Sequence, residues 1–336
     1  MTLRSRSIVA VAAAASILLL AGCSGPTAPA HNSATSSAGG KANASLTLGL
    51  VQGQDFIHAM PARVAEAQGY FTDEGLTVNI VAFTSGSDLT KAMAGGTVNV
   101  GAATGLDAVA ASAHGVDLKA FWGVEAKSPM VLVSKAGSSI SKFSDLAGKN
   151  VGISAAGSLT DYTLRAALKA SNVDFAKVHE VPLGAPSSTL AALTRGDIDA
   201  YILPANFGYV SEADGSGKAG QSAASAGGHD QFAILMASSD YLSKNKTALS
   251  ALTRTYTKAI EWMKANRTQA IALAVSKLGM KEDIAGKTYD RLMPQFTADG
   301  ALDAAGLAAY AKALPELGIA TAVPEKSAYL DSSFSK

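Results

Sequence analysis

The chain contains very little cysteine and histidine. Only one of its 336 residues is a cysteine, Cys23, close to the N-terminus. The rest of the sequence can therefore form no disulfide and has no thiol for nucleophilic chemistry. The five histidines nowhere show the His-x-x-x-His spacing of metal-binding helices, and the G-x-x-x-x-G-K-[ST] phosphate loop is absent. We predict no metal site and no cofactor.

The chain also lacks an excess of either charge. Lys and Arg total 28 against 27 for Asp and Glu, which gives a formal net charge of +1, and the charges are scattered rather than collected in blocks. Nucleic-acid-binding domains usually carry a basic patch that neutralises phosphates. We therefore do not expect nucleic acid as a partner.

Long apolar runs are missing except at the N-terminus. Arg4 and Arg6 precede an apolar stretch at residues 8–20, and the sequence Leu-Ala-Gly then leads directly to Cys23. Such a stretch is long enough for the core of a signal peptide but short for a membrane-spanning helix. We interpret residues 1–22 as a lipoprotein signal peptide and Cys23 as the lipid attachment site. The alternative is an ordinary secretory signal.

Residues 23–45 have the composition of a tether. They are mostly Ser, Ala, Gly, Pro, Thr and Asn, with almost no large apolar side chain. Such a composition cannot bury enough apolar surface to offset the entropy lost on ordering. We predict a flexible, lipid-anchored linker that holds the folded body at the outer face of the cell membrane, in the periplasm or at the cell surface.

Strand and helix patterns alternate from residue 46 and begin again after residue 126. Residues 46–126 and 127–238 each read as a βα series, which is typical of a mainly parallel sheet flanked by helices. From residue 239 to 336 only helical patterns follow. The sequence therefore predicts an α/β fold of two lobes, with a helical C-terminal tail that packs back on lobe I and the hinge.

Candidate ligand-binding residues are found where predicted strands end and helices begin. In open parallel sheets this edge exposes helix N-terminal amides, which attract anions. The predicted binding residues are Gln54, Phe56, Ser85, Thr104, Trp122, Ser158, Thr160 and Asn206. The aromatic members could form an apolar wall or lie in the core, and the hydroxyls could contact a ligand or merely cap helices.

The chemistry of this edge favours a sulfonate. Its segments hold many hydroxyls and amides but almost no basic residue except Lys127, whereas a carboxylate receptor usually presents an arginine. The acids in these segments, Asp55, Asp88, Asp107, Glu125 and Asp161, leave an alternative open. If several of them faced the cleft, they would suit a heteroaromatic amine.

Several segments resemble the substrate-binding proteins of ABC importers for nitrate, taurine, alkanesulfonates and thiamine-pyrimidine compounds. The segments that carry the resemblance are residues 67–78, 83–87, 96–101, 144–152 and 196–200. The resemblance implies the two-lobe periplasmic-binding-protein fold of type II, closing over a small-molecule ligand. It also implies delivery to a membrane permease with a cytoplasmic ATPase.

We therefore expect a non-enzymatic, monomeric receptor for a small organic anion, with taurine or an alkanesulfonate as the first hypothesis. Within the same class, a thiamine-precursor pyrimidine is the second hypothesis and nitrate the third. A surface sensor and a pyrimidine-synthesising enzyme are the alternatives from other classes. The enzymes use a cysteine-rich motif, and the sequence after Cys23 contains no cysteine.

Overall fold

The structure, a computed structural model, describes residues 42–51, 55–125, 127–223 and 231–335. Within these residues the chain forms two five-stranded sheets, each flanked by helices. The predicted signal peptide and Cys23 lie outside the described residues.

The first sheet combines an early segment of the chain with one late strand. Its strands are β1 (Ala44–Val51), β2 (Leu76–Phe83), β3 (Val100–Thr104), β4 (Lys119–Glu125) and β10 (Ala233–Ala237). Their order is β2-β1-β3-β10-β4, with β1 parallel to both β2 and β3 and with β10 antiparallel to both of its neighbours. All five residues of β3 are buried, as expected for a central strand that is covered on both faces.

The second sheet is formed by one continuous segment. Its strands are β5 (Met130–Lys135), β6 (Asn150–Ile153), β7 (His179–Pro182), β8 (Ala200–Pro204) and β9 (Gly217–Ser222). The order β7-β6-β8-β5-β9 repeats the topology of the first sheet, with β5 as the antiparallel strand. In both sheets the antiparallel strand is the first strand that the chain forms after it arrives from the other lobe.

The two matching sheets confirm the predicted α/β fold with two lobes. We call the part built on the first sheet lobe I and the part built on the second sheet lobe II. One boundary differs from the prediction, which assigned residues up to 238 to lobe II. The strand β10 lies in lobe I, where it fills the gap between β3 and β4.

The helices of the two lobes follow the strands closely. They are α1 (Phe56–Ala67), α2 (Tyr70–Asp73), α3 (Gly86–Ala94), α4 (Gly105–Ala113), α5 (Leu159–Ala170), α6 (Pro186–Arg195) and α7 (Ala205–Ala213). Gly196 ends α6 with a φ of 85°, a left-handed conformation that glycine adopts without strain. A new strand can therefore begin within a few residues of the helix end.

The C-terminal tail is helical, as predicted. Its helices are α8 (Ser239–Lys244), α9 (Lys246–Ala265), α10 (Arg267–Leu278), α11 (Glu282–Leu292), α12 (Ala304–Glu316) and α13 (Lys326–Tyr329). In lobe I, α9 and α10 pack on α1, and α12 packs on α4. The tail also contacts lobe II, because α11 packs on α7 and the end of α12 reaches α5.

One strand was missed by the sequence patterns. Residues 215–228 are rich in Gly, Ser and Ala, a composition that is typical of a surface loop, but Gly217–Ser222 forms the edge strand β9. Its side chains give no strand signal, and its position is set by pairing with β5 and by packing against α7.

In the described part of the chain, no helix is both long enough and apolar enough to cross a membrane.

Candidate functional site

A small cavity of ≈ 20 Å³ lies between the two lobes at the carboxyl ends of their strands. That volume holds about one water molecule, so the two lobes lie close together at this point. The polar residues that line it are His58, Ser85, Thr104, Asp107, Ser154, Ser158 and Thr160. Lobe I supplies the first four of these residues and lobe II the last three.

Four helices begin at this cavity. Asp55, Ser85, Thr104 and Ser158 are the N-caps of α1, α3, α4 and α5, and each side chain accepts a hydrogen bond from a backbone amide in the first turn. The N-terminus of a helix carries a partial positive charge and unpaired amides. Four such ends directed at one cavity create a site suited to an anion.

The hydroxyls of lobe II form a buried triangle. Ser154 Oγ lies 3.0 Å from Ser158 Oγ and 3.0 Å from Thr160 Oγ1, and Ser158 Oγ lies 2.9 Å from Thr160 Oγ1. Thr160 Oγ1 also accepts the backbone N–H of Ser154 at 2.8 Å. All three hydroxyls can rotate, so the triangle can turn O–H groups toward a bound oxyanion while Thr160 keeps the end of β6 in place.

A buried Asp–His pair lies on the lobe I side. His58, in the first turn of α1, is 3% exposed, and its Nδ1 lies 2.7 Å from Asp55 Oδ2. The ring stacks at a tilt near Phe232, with 5.3 Å between the ring centroids. Among the described residues, its second nitrogen, Nε2, has no hydrogen-bond partner. His58 is therefore an oriented imidazole with one free nitrogen at the wall of the cavity.

Two further carboxyls of lobe I are buried near this pair. Asp107 Oδ2 accepts hydrogen bonds from the Thr104 backbone at 2.9 Å and hydroxyl at 2.7 Å, yet burial raises the pKa of Asp107 above its usual value. Glu125, at the end of β4, is fully buried, and neither carboxyl oxygen has a partner. Burial raises the pKa of Glu125 well above its usual value, and the negative charge of Asp55 raises it further.

The acid at the corresponding position of lobe II is neutralised. Asp161, in the first turn of α5, forms an ion pair with Arg165 and accepts the Gly157 N–H at 2.7 Å. Arg165 also lies 3.3 Å from Glu180, whose pKa is raised to about 7 by burial and by the nearby Asp161. Arg165 is thus paired with these two acids and does not line the cavity.

Comparison with known proteins identifies the family. Residues 57–270 match the profile described as NMT1/THI5 like. The chain belongs to this family. Its expected relationship to ABC-importer substrate-binding proteins is thereby confirmed, together with the two-lobe fold of type II.

Two curated members show how far the similarity extends. The chain is 36% identical to the taurine-binding periplasmic protein of Escherichia coli (strain K12) over 154 residues, which is 43% of this chain and 45% of that protein. It is 30% identical to the 4-amino-5-hydroxymethyl-2-methylpyrimidine phosphate synthase of Schizosaccharomyces pombe over 93 residues, 28% of this chain and 27% of that protein. The chain thus matches less than half the length of these relatives.

A solved structure shows the same fold. The periplasmic aliphatic sulphonate binding protein SsuA from Escherichia coli superimposes with a TM-score of 0.72 at 20% identity, over 86% of this chain and 92% of that chain. At this identity the similarity establishes the shared two-lobe fold and nothing about the ligand.

Four of the eight predicted site residues meet in this NMT1/THI5-like protein. Ser85, Thr104, Ser158 and Thr160 all line the cavity. The hydroxyls have both roles considered from the sequence, since Ser158 caps α5 and also lines the cavity.

Three of the other four predicted residues do not line the cavity. Phe56 is fully buried and packs edge-on against Tyr289 and Phe296 of the tail, with centroids 6.4 Å apart in each pair. Trp122 likewise packs against Tyr256, 5.9 Å away, so both aromatics lie in the core. Asn206 is buried near the start of α7, and its Oδ1 has no partner. Gln54 lies outside the described residues.

The main residue that sequence patterns missed is His58. A lone histidine carries no spacing signal, and the informative feature was Asp55 three positions earlier at the start of a helix.

In the part of the chain that the structure describes, no group of three or more His, Cys, Asp or Glu side chains is arranged to hold a metal ion.

Proposed function

We propose that the protein is an extracytoplasmic receptor that binds a small organosulfonate between its lobes and delivers it to an ABC importer. The observation that carries this proposal is the set of four helix N-termini, from both lobes, that converge on one hydroxyl-lined cavity. A ligand bound there bridges the lobes and stabilises the closed form. The proposed role requires no bond to be made or broken.

The donors favour a sulfonate over a carboxylate. The lining residues include no arginine, so the two-pronged contact that usually holds a carboxylate is missing from the cavity. A sulfonate spreads its charge over three oxygens, and the hydroxyls of Ser154, Ser158 and Thr160 with nearby helix amides offer donors from several directions. The similarity to a taurine-binding protein supports the same choice.

The unpaired acids favour a ligand with an amine at its other end. Asp55 Oδ1 and both carboxyl oxygens of Glu125 are buried acceptors without a donor. Asp107 lines the cavity itself, and Asp55 lies directly behind His58, so this side of the cavity attracts a ligand ammonium. We therefore propose an aminoalkanesulfonate such as taurine ahead of a simple alkanesulfonate.

Calorimetric titration with taurine and with ethanesulfonate tests this ligand class, because the two differ in the amine. We expect both to bind and taurine to bind more tightly. In the Glu125→Gln variant the preference for taurine should shrink, since an amide cannot ionise to pair with an ammonium as the carboxyl can. Failure of both ligands to bind the wild-type protein would contradict the proposal.

A thiamine-precursor aminopyrimidine is the second candidate. The same unpaired oxygens of Asp55 and Glu125 could accept its N–H groups, and one relative is a pyrimidine phosphate synthase. A thermal-shift series with taurine, nitrate and an aminopyrimidine separates the candidates, because a ligand at about a hundred times its dissociation constant stabilises by about 2.7 kcal/mol. Stabilisation by the aminopyrimidine alone would favour the second candidate.

We also propose that Cys23 anchors the receptor to the cell membrane. The support is the basic, apolar and small-residue pattern that precedes this single cysteine. In fractionated cells, the Cys23→Ala variant should lose membrane retention while its purified folded body keeps its ligand affinity. Recovery of the variant in the membrane pellet would mean that another feature holds the protein there.

A further inference from the structure

We propose that His58 binds the anionic group of the ligand as an imidazolium, so that each ligand binds together with one proton taken from solvent. This inference rests on the proposed function, because it concerns the same cavity and assumes an anionic ligand. It adds a cationic binding residue to a site that contains no lysine or arginine among its lining residues.

The position of the ring supports a direct contact. His58 is 3% exposed and lines the cavity together with Ser85, Thr104 and the hydroxyl triangle of lobe II. Its Nε2 is the buried nitrogen without a hydrogen-bond partner. Because Nδ1 is held by Asp55 at 2.7 Å, the ring is fixed in orientation before any ligand arrives.

The hydrogen bond to Asp55 determines what Nε2 can do. A carboxylate only accepts hydrogen bonds, so Nδ1 must carry the proton that it shares with Asp55. In a neutral imidazole Nε2 then has a lone pair, which repels an oxyanion. Only the imidazolium presents Nε2–H as a donor, so an anion bound against Nε2 requires the second proton.

The surroundings favour that charge. Asp55 lies at the start of α1, and Asp107 faces the ring from α4, where the positive charge of His58 partly offsets the rise that burial causes in the pKa of Asp107. Glu125, from β4, acts on Asp55. The side chain that packs on the ring from the residue just before β10 is Phe232, which carries no charge. The acids that interact with the ring are thus Asp55 and Asp107, and a bound ligand anion adds a negative charge at Nε2.

Proton uptake can be measured directly. Calorimetric titrations at one pH in buffers of different ionisation enthalpy give the number of protons bound with each ligand. Taurine is the first probe, and ethanesulfonate, which has no titratable amine, is the second. Between about pH 5.5 and 8.5 we expect uptake to rise toward one proton and affinity to fall by up to about tenfold per pH unit.

Two variants identify the titrating group. His58→Gln keeps a donor at a similar position but cannot change its charge, so it should bind more weakly at low pH, without proton uptake and with a flat pH profile. Asp55→Asn removes the charge that supports the imidazolium and should shift the loss of affinity to lower pH. A merely structural role for His58 would change the melting temperature of both variants but leave the pH profile of any remaining binding unchanged.

Each outcome is decisive. Wild-type binding that is independent of pH and free of proton uptake would overturn the inference while leaving the proposed function intact. A pH profile that persists in His58→Gln would assign the proton to Asp107 or Glu125 and would also overturn it. Absence of binding by both sulfonates at every pH would instead contradict the proposed function.

Discussion

The two lobes share one topology but present different chemistry to the cavity. Lobe I contributes His58 and Asp107, with the buried acids Asp55 and Glu125 close by. Lobe II contributes the neutral hydroxyl triangle of Ser154, Ser158 and Thr160. Its acid Asp161 adds no net charge there, because it is paired with Arg165. The same strand order therefore places helix N-termini at the cavity in both lobes. The side chains at those helix starts determine whether a lobe presents charged or neutral groups.

This division assigns separate tasks to the lobes. The Asp55–His58 pair lies entirely within lobe I, so we expect it to persist when the lobes separate. We expect the neutral hydroxyls of lobe II to complete the site when the lobes come together, without bringing a charge across from lobe II. Closure therefore avoids the large desolvation cost of bringing two charged surfaces together.

The largest effect is expected from Thr160→Val, which opens the hydroxyl triangle. The change removes the acceptor of the Ser154 N–H and one hydroxyl of the triangle. A hydrogen bond to a charged ligand contributes about 1.5 to 3 kcal/mol, so without the Thr160 hydroxyl taurine should bind about ten- to a hundredfold more weakly by calorimetry.

Thr163→Val provides the matched control for that experiment. Thr163 is also buried on α5 but does not line the cavity, so its replacement should leave the affinity unchanged. Equal losses of affinity in the two variants would show that lobe II contributes helix stability rather than a binding surface.

A smaller effect is expected on stability from Glu125→Gln in lobe I. The pKa of Glu125 is raised in the folded protein, so the folded state is destabilised as pH rises through that raised value and the carboxyl must ionise while buried. The variant should therefore have a higher free energy of unfolding than the wild type at neutral and alkaline pH. The gain should exceed the roughly 0.5 kcal/mol that is typical of surface substitutions.

Urea unfolding of the ligand-free protein across pH measures this difference. The control is Glu261→Gln on the exposed face of α9, which should not change the stability. A Glu125→Gln variant that is less stable than the wild type at every pH would indicate that the carboxyl has a donor and would remove the contrast between the lobes.

The smallest effect is expected where the tail connects the lobes. Lys169 of α5 lies 2.6 Å from Glu316 at the end of α12, while α12 packs on α4 of lobe I. Both side chains are largely exposed to solvent, so Lys169→Ala should weaken ligand binding only slightly by calorimetry.

Salt identifies the origin of that loss. The difference in ligand affinity between Lys169→Ala and the wild type should disappear in about 1 M salt, where the Debye length falls to about 3 Å. A loss that persists at high salt would point to a change in α5 itself rather than to the contact between lobe II and the tail.

The overall fold could be predicted from sequence because local patterns determine it. Strands that alternate with helices predicted the two α/β lobes, and hydroxyls at helix starts predicted Ser85, Thr104, Ser158 and Thr160 at the cavity. The partner of a strand is not encoded locally, so the assignment of β10 to lobe I could not be inferred from its apolar residues alone.

The rest of the candidate site depends on the direction in which side chains point. Phe56 and Trp122 were predicted at the cavity from their positions in the sequence. In the structure the C-terminal tail covers that side of lobe I, and both rings pack against its aromatic residues in the core. His58 is recognisable only when its burial and its contact with Asp55 are known together. Periodicity and spacing contain neither piece of information.

The placement of β10 in lobe I also sets an order of assembly. All strands of lobe II are contiguous along the chain, so this sheet can form as soon as Ser222 is available. The sheet of lobe I requires Ala233–Ala237 between two strands that precede lobe II, so it remains split until that late segment arrives. Closing this long-range pairing is slow because the intervening chain must first be drawn together. When lobe II folds, it shortens the distance between β4 and β10. We therefore expect the sheet of lobe II to form first and the sheet of lobe I to be completed afterwards.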